Sequence, residues 1–191
     1  MLAVGDVNAA MKEYGRLVAL GSGRARCILA YAYLVGSYLT PRDLDAAKSI
    51  ALLASSSEPG FSNYILGFIA LAEGDYASSF AHFILSRNAG FLPAYSASAK
   101  LFSDRYHSAE KDLRLAERLF MRAIRVGHIP AYMYLSVFYL HGNRGFIKRI
   151  AGAALYPISV IAVYLSLRFN IFSMSTFMYH PTYRNLLRET R

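Results

Sequence analysis

The chain has 191 residues, 55% of them hydrophobic and 17% charged, which excludes a chain that is disordered as a whole and allows one domain with a substantial core. The net charge of +9 makes nucleic acid or an anionic membrane the first partners to consider, but from His141 onward seven Lys and Arg accompany one acidic residue, so the excess is local. The single cysteine, Cys27, excludes an internal disulfide and fits a reducing compartment.

Helical periodicity divides the first 141 residues into a leading helix and a series of helix pairs. Apolar residues recur every three or four positions, as in Leu115, Leu119 and Ala123, which is the spacing of one helix face. In chain order we predict a leading helix at about 6–20, helix pairs at 24–57, 61–89 and 93–126, and a further first helix at 130–141.

Two similar hexapeptides, GFLPAY at Gly90–Tyr95 and GHIPAY at Gly127–Tyr132, mark junctions between these helices. The glycine supplies the left-handed residue that ends one helix, and the proline three positions later is tolerated in the first turn of the next. We therefore predict that both hexapeptides are turns between antiparallel helices.

The helices themselves also repeat. First helices share a small residue, a second small residue five positions later and an aromatic residue three further on: Ala25, Ala30 and Tyr33; Ala94, Ala99 and Phe102; Ala131, Ser136 and Tyr139; and, without the aromatic, Ser62, Gly67 and Ala70. Small residues let a neighbouring helix approach closely, and a helix pair that cannot bury its apolar face alone must stack on the next pair. The pattern predicts an all-α solenoid.

The repeat motif resembles the Sel1-like repeat family, a branch of the tetratricopeptide superfamily, over about residues 6–142. The motif is carried by Ala25, Leu29, Ala30, Tyr33 and Gly36, and again by Ala131, Leu135, Ser136, Tyr139 and Gly142. The resemblance implies a right-handed α-α superhelix that acts as a scaffold or adaptor for other proteins, without catalysis. In bacteria such proteins often accompany signalling and envelope-polysaccharide systems. Secreted members pin each repeat with a cysteine pair, which this sequence does not contain.

The predicted second part of the chain, residues 144–191, is a basic and hydrophobic tail. Within it, Ile150–Leu167 contains 18 residues without a charge and forms a helix of about 27 Å, close to the thickness of a bilayer core. The flanking basic residues are Lys148, Arg149 and Arg168. We predict a membrane span at about 150–167, kinked at Pro157. The alternative is a buried helix that caps the solenoid, although a cap needs a polar outer face.

The flanking charge predicts the orientation of this span. Because Arg144, Lys148 and Arg149 precede it, the positive-inside rule places the repeats in the cytoplasm, at the inner membrane. The five residues before Asp6 are too short for a signal peptide, which also predicts a cytoplasmic start. A second apolar stretch, Phe169–Tyr179, is compatible with a single crossing and with a hairpin that returns to the cytoplasmic leaflet.

The search for catalytic or metal-binding patterns gives no candidate. The histidines lack metal-ligand spacing with one another or with Cys27; they are His82, His107, His128, His141 and His180. Alternating carboxylates such as Asp43 and Asp45 do not face each other on a helix. Gly21–Gly23 could cradle a phosphate, but capping of a helix explains it better. We predict no catalytic residue, no metal and no cofactor.

Two sets of side chains are candidates for partner binding. First helices of such repeats line the concave face, where tyrosines anchor a partner at little entropic cost; the candidates are Tyr31, Tyr64, Tyr95 and Tyr132. The alternative for each is a core aromatic at helical spacing. Four arginines also recur along one helix face: Arg114, Arg118, Arg122 and Arg125. These form either a solvated face or a docking strip for an anionic partner.

Together these features predict a membrane-tethered, non-catalytic scaffold that binds protein partners through its repeat groove. The alternative is an RNA-binding or other anion-binding helical repeat, which the basic total and the aromatic residues support. Up to Leu140 the chain has 14 Lys and Arg against 11 Asp and Glu, and this near balance argues against nucleic acid as the partner.

Overall fold

α-Helices account for all regular secondary structure in the residues that the structure describes, which are 4–36, 40–103, 112–141 and 145–168 of this computed structural model. Side chains are described from Lys12 to Leu165 within these ranges. The helices are α1 Val4–Ala19, α2 Gly23–Val35, α3 Leu44–Ala54, α4 Pro59–Ala72, α5 Tyr76–Asn88, α6 Pro93–Ser103, α7 Leu113–Arg125, α8 Pro130–His141 and α9 Phe146–Arg168.

The helix pairs predicted from periodicity are present. α2 and α3 form the pair expected at 24–57, α4 and α5 the pair at 61–89, and α6 and α7 the pair at 93–126, while α1 is the leading helix. The two helices of each pair pack against each other. The predicted all-α fold of consecutive helix pairs is therefore confirmed.

The two hexapeptides form the turns expected of them. Gly90 and Gly127 adopt positive φ angles of 80° and 89°, and Pro93 and Pro130 are the first residues of α6 and α8. The Gly127 N–H donates to Ile124 O at 3.0 Å, and the next N–H donates to Ala123 O at 2.9 Å. This hydrogen-bond pair is the Schellman motif, in which a left-handed residue closes the last turn of a helix.

An aspartate caps three of the second helices. The Oδ1 atoms of Asp43, Asp75 and Asp112 each accept a hydrogen bond from the backbone N–H three residues further on, at 2.8–2.9 Å. A side-chain acceptor at this position satisfies one of the N–H groups that the first helical turn leaves without a partner. The carboxylate of Asp43, considered above for acid–base chemistry, thus has a structural role.

One compact unit of the chain contains α1 to α5. Its core is aromatic around α4 and α5, where Phe61 and Phe83 are almost fully buried and the rings of Phe68 and Phe83 lie 5.2 Å apart. Gly67 packs directly on this cluster, since a Cβ atom there would lie 2.6 Å from Phe83 Cε1. The close approach of helices that the repeated small residues predict is therefore present.

A second compact unit contains α6 to α9. Phe120 on α7 is buried, and its ring lies 5.6 Å from that of Phe138 on α8. α8 is not left without a second helix, as the predicted repeat boundaries imply, because α9 packs against it. At the contact, a Cβ atom on Gly152 would lie 2.8 Å from Ser136 O and 2.9 Å from Tyr139 Cβ.

The register of α9 is that of a second helix. Each second helix buries a small residue and another small residue seven positions later; these pairs are Ala47 and Ala54, Ser79 and Ser86, Ala116 and Ala123, and Gly152 and Ser159. Small residues at both positions let the first helix of the same pair approach closely. α9 therefore completes a fourth helix pair, which the sequence analysis gave only as the alternative of a capping helix, and it runs as one helix through Pro157.

Candidate interaction surfaces

Two of the four candidate tyrosines pack inside the first unit. Tyr64 on α4 is only 6% exposed, and its ring lies 4.8 Å from that of Phe68. Tyr31 on α2 is half-buried, with its ring 6.5 Å from that of Phe61. Tyr64 is therefore a core aromatic and not an anchor for a partner, because α4 is buried on all sides and helical spacing does not reveal this.

Tyr95 and Tyr132 occupy equivalent positions, directly after the small residues Ala94 and Ala131 of two first helices. Tyr132 is 39% exposed and Tyr95 is partly exposed. Both lie in the second unit, on α6 and α8, which contact each other. The same two helices are linked by Lys100, whose Nζ lies 5.4 Å from the centre of the Tyr134 ring. We call Tyr95 and Tyr132 the tyrosine surface, because each of these two repeats contributes one amphipathic ring to it.

The four arginines lie together on the outer face of α7. Arg114, Arg118, Arg122 and Arg125 are all exposed, while Ala116, Leu119, Phe120 and Ala123 on the opposite face are buried. We call these four side chains the arginine face. It is strongly cationic and open to solvent.

Lys148, predicted to flank the membrane span, is joined to the repeats. Its Nζ donates to Glu117 Oε2 at 2.7 Å, and Tyr139 Oη donates to Glu117 Oε1 at 2.8 Å. Glu117 thus connects α7, α8 and α9. Arg149 is exposed, and Arg168 is the last residue of α9.

The outer surface of α9 is apolar. Phe146–Leu165 is long and apolar enough to cross a membrane by length and composition, with a mean hydropathy of 1.5, and 17% of it is buried. We call its most exposed isoleucines and tyrosines the α9 face: Ile147, Ile150, Tyr156, Ile158, Ile161 and Tyr164. A helix capping a soluble solenoid needs a polar outer face, and this helix lacks one.

The buried titratable groups form no catalytic arrangement among the described residues. His128 is 1% exposed, its Nδ1 lies 2.8 Å from Ser96 Oγ, and burial lowers its pKa to about 4. Burial also lowers the pKa of His82 and, with Glu58 nearby, raises the pKa of the Cys27 thiol to about 12, so this thiol is not a nucleophile at neutral pH. The described part of the chain holds no group of three or more His, Cys, Asp or Glu arranged to bind a metal ion.

The glycine-rich stretch Gly21–Gly23 serves as a helix cap. Gly21 has a φ of 85° and ends α1, and Ser22 Oγ accepts a hydrogen bond from Ala25 N at 3.3 Å at the start of α2. Capping, which the sequence favoured over a phosphate cradle, accounts for this geometry.

No family model and no curated protein matches the chain. Among solved structures, the chain is similar to a Sel1 repeat protein from Oxalobacter formigenes, with a TM-score of 0.59 and 17% identity over 82% of this chain and 65% of that one. It is also similar to a protective antigen of uropathogenic Escherichia coli that displays an SLR (Sel1-like repeat) fold, with a TM-score of 0.55 and 17% identity over 81% of this chain and 34% of that one. The chain thus spans less than two thirds of the length of either protein. The likeness confirms the resemblance carried by the repeat motifs: the chain has the solenoid fold of the Sel1-like repeat proteins.

Proposed function

We propose that the chain is a membrane-tethered, non-catalytic scaffold that binds protein partners through the tyrosine surface. The observation that carries the proposal is the pair of equivalent side chains, Tyr95 and Tyr132, presented by two contacting first helices of a Sel1-like repeat fold. Rigid aromatic side chains with a polar tip are the residue type most enriched among interface hot spots.

The apolar helix α9 supports the membrane part of the proposal. Residues 1–143 then hold the partner, and the basic, hydrophobic part from 144 to 191 holds the membrane. For a spanning α9, the positive charges before the apolar stretch favour repeats that face the cytoplasm at the inner membrane. A bacterial envelope or polysaccharide-assembly complex is the setting implied by the family resemblance.

Partner capture by full-length protein in mild detergent tests the scaffold function. Exchange of both Tyr95 and Tyr132 for alanine should weaken partner binding roughly a thousandfold, since hot-spot aromatics contribute about 2 kcal/mol or more each if their effects add. Tyr76→Ala is the matched control, because Tyr76 on α5 is 38% exposed. Circular dichroism should report unchanged helicity in all three proteins.

Two results would contradict this proposal. Loss of helicity in the double variant would assign the tyrosines to the core. Unchanged partner capture with intact helicity would move the binding site away from the tyrosine surface.

The second candidate function, binding of RNA or another polyanion, is favoured by the arginine face. Four exposed arginines on one helix can contact successive phosphates. This function predicts binding of bare RNA at physiological salt that is lost when the four arginines become glutamine and is unaffected by the tyrosine variants. The near-neutral charge of the first 140 residues makes it the weaker candidate.

A further inference from the structure

We infer that the chain binds an anionic lipid surface peripherally, through the α9 face and the arginine face together, with α9 still packed on α8 rather than spanning the bilayer. This inference rests on the membrane attachment in the proposed function and specifies its geometry and its lipid.

The first argument is that α9 is held by the repeats along most of its length. Lys148 is bonded to Glu117 near the start of the helix, Gly152 contacts α8, and Ser159 and Val163 are buried further along. These contacts extend over about 22 Å of helix at 1.5 Å per residue. A spanning α9 would therefore either detach from α8 or carry its neighbours into the hydrocarbon.

The second argument concerns α7, which would enter the bilayer with α9. The two helices have the same role in successive repeats of one unit, and Glu117 on α7 is bonded to Lys148 on α9. The arginine face would then lie at hydrocarbon depth. Arginine at the centre of a membrane is strongly unfavourable, whereas at the interface it contacts headgroups.

The third argument comes from the repeat register, which aligns each residue of α7 with the residue 36 positions later in α9. Arg114, Arg122 and Arg125 align with Ile150, Ile158 and Ile161, and all six side chains are exposed. The same outward surface is thus cationic in the third repeat and apolar in the fourth. An apolar face beside a basic one is the combination that binds in the plane of a membrane interface.

The two tyrosines of the α9 face suit an interface. Tyr156 aligns with Phe120, which is 1% exposed in α7, yet Tyr156 itself is 42% exposed, and Tyr164 is 62% exposed. Tyrosine is enriched at the headgroup level of membranes, where its ring is partly dehydrated and its hydroxyl stays hydrated.

Charge favours an anionic lipid, rather than a second copy of the chain or its own last 23 residues, as the partner of this surface. α9 contains no acidic residue, and Glu117, the acidic residue within α7, is already bonded to Lys148. A second copy of this surface would therefore supply no acidic side chain to pair with the arginines. The last 23 residues of the chain carry three basic residues and one acidic, so their charge does not complement it either. Anionic headgroups supply the opposite charge.

Vesicle flotation of the full-length protein tests the inference. We expect binding to phosphatidylcholine vesicles that contain phosphatidylglycerol, weaker binding to phosphatidylcholine alone, and a loss of the difference at high salt because screening acts on exposed charges. From native membranes, alkaline carbonate should extract the protein, as it does peripheral proteins.

Two pairs of substitutions separate the apolar and cationic contributions. Ile158→Asp with Ile161→Asp should lower vesicle binding about a hundredfold or more, because two large apolar side chains no longer enter the interface. Arg118→Glu with Arg122→Glu should lower binding to anionic vesicles roughly thirtyfold and leave binding to neutral vesicles unchanged. The matched controls lie on exposed positions of the first unit: Leu53→Asp with Leu85→Asp, and Lys12→Glu with Arg24→Glu.

Several outcomes would overturn the inference. Resistance to carbonate, with α9 protected from protease, would show a spanning helix. Dimerisation in solution that Ile158→Asp abolishes, without lipid binding, would assign the face to a second copy. Vesicle binding that appears only after removal of residues 169–191 would assign the α9 face to the chain's own tail. None of these results changes partner capture by Tyr95 and Tyr132 in detergent, so the scaffold function stands or falls separately.

Discussion

Gly67 and Gly127 show that two glycines of one repeat pattern can be required for different reasons. Gly67 has ordinary helical backbone, but a Cβ there would lie 2.6 Å from Phe83. Gly127 has nothing within 4 Å of its missing Cβ, but its φ is +89°. Space is limiting at the first position and backbone conformation at the second.

This difference predicts how replacements behave. Gly67→Ala should destabilise the fold by about 1–3 kcal/mol through overpacking against Phe83. Gly127→Val should cost on the order of 1–2 kcal/mol, because a side chain with a Cβ is strained in the left-handed region. Thermal unfolding of the full-length protein in mild detergent measures both. The controls are asparagine substitutions. Gly127→Asn should keep most of the stability that Gly127→Val loses, because asparagine tolerates the left-handed region, whereas Gly67→Asn should remain destabilising.

His128 predicts a pH-dependent stability. Its folded-state pKa of about 4 lies below the ordinary value of 6.5, so protons bind more tightly to the unfolded chain. The contribution of neutral His128 to the free energy of unfolding is fully present above pH 6.5 and is lost as the pH falls towards 4. Between pH 7 and pH 5 the free energy of unfolding should drop by about 2 kcal/mol from this residue.

The variant His128→Gln isolates this effect, because it keeps a hydrogen-bonding group near Ser96 and does not titrate. The wild type should lose more stability than the variant between pH 7 and pH 5 in parallel thermal melts. Equal losses would mean that His128 is solvated in the folded protein. His82, whose pKa is also lowered by burial, is present in both proteins and cancels.

At the scale of elements, the packing of α9 on α8 depends on Gly152. We predict that Gly152→Leu separates the two helices, because even a Cβ would lie 2.8 Å from Ser136 O, a backbone atom that cannot move aside. Hydrogen exchange should become faster throughout α9 while α2 to α5 keep their protection. Ala154→Leu, at an exposed position of the same helix, is the matched control and should leave the exchange unchanged.

The helices and turns could be predicted because each depends on local chemistry. Gly127 indicates the end of one helix and Pro130 the start of the next, and the repeated small residues predict the helix pairs. The burial of Tyr64 could not be predicted, since helical spacing identifies one apolar face of a helix but not whether the opposite face is also covered. The packing of α9 on α8 was considered only as the alternative of a capping helix, because the apolar composition of α9 indicated a membrane, although Gly152 and Ser159 repeat the small positions of α7.

The N-terminal caps were missed in the same way. Asp43, Asp75 and Asp112 each precede a second helix directly, which is the position where an acceptor side chain is favoured. If these aspartates are identified as N-caps, the sequence predicts where α3, α5 and α7 begin. The candidate binding surface was predictable only in part, because exposure of Tyr95 and Tyr132 depends on packing between helices.

At the scale of the whole molecule, α9 combines two properties that usually exclude each other. Its inner face has the small residues of a repeat helix, and its outer face has the composition of a membrane segment. Removal of the helix should therefore have two separable consequences, loss of membrane attachment and loss of stability.

A chain ending at residue 143 tests this combination. We predict that it is recovered without detergent, since the apolar outer surface is gone, and that it melts roughly 5–10 °C below the full-length protein because the face of α8 around Ser136 and Leu140 becomes exposed. The matched control is the full-length protein with glutamine at Ile150, Ile158 and Ile161. That variant should also leave the membrane, but it should keep the melting temperature of the parent, because all three side chains point away from α8. Persistent membrane attachment of the shortened chain would place the attachment within the repeats.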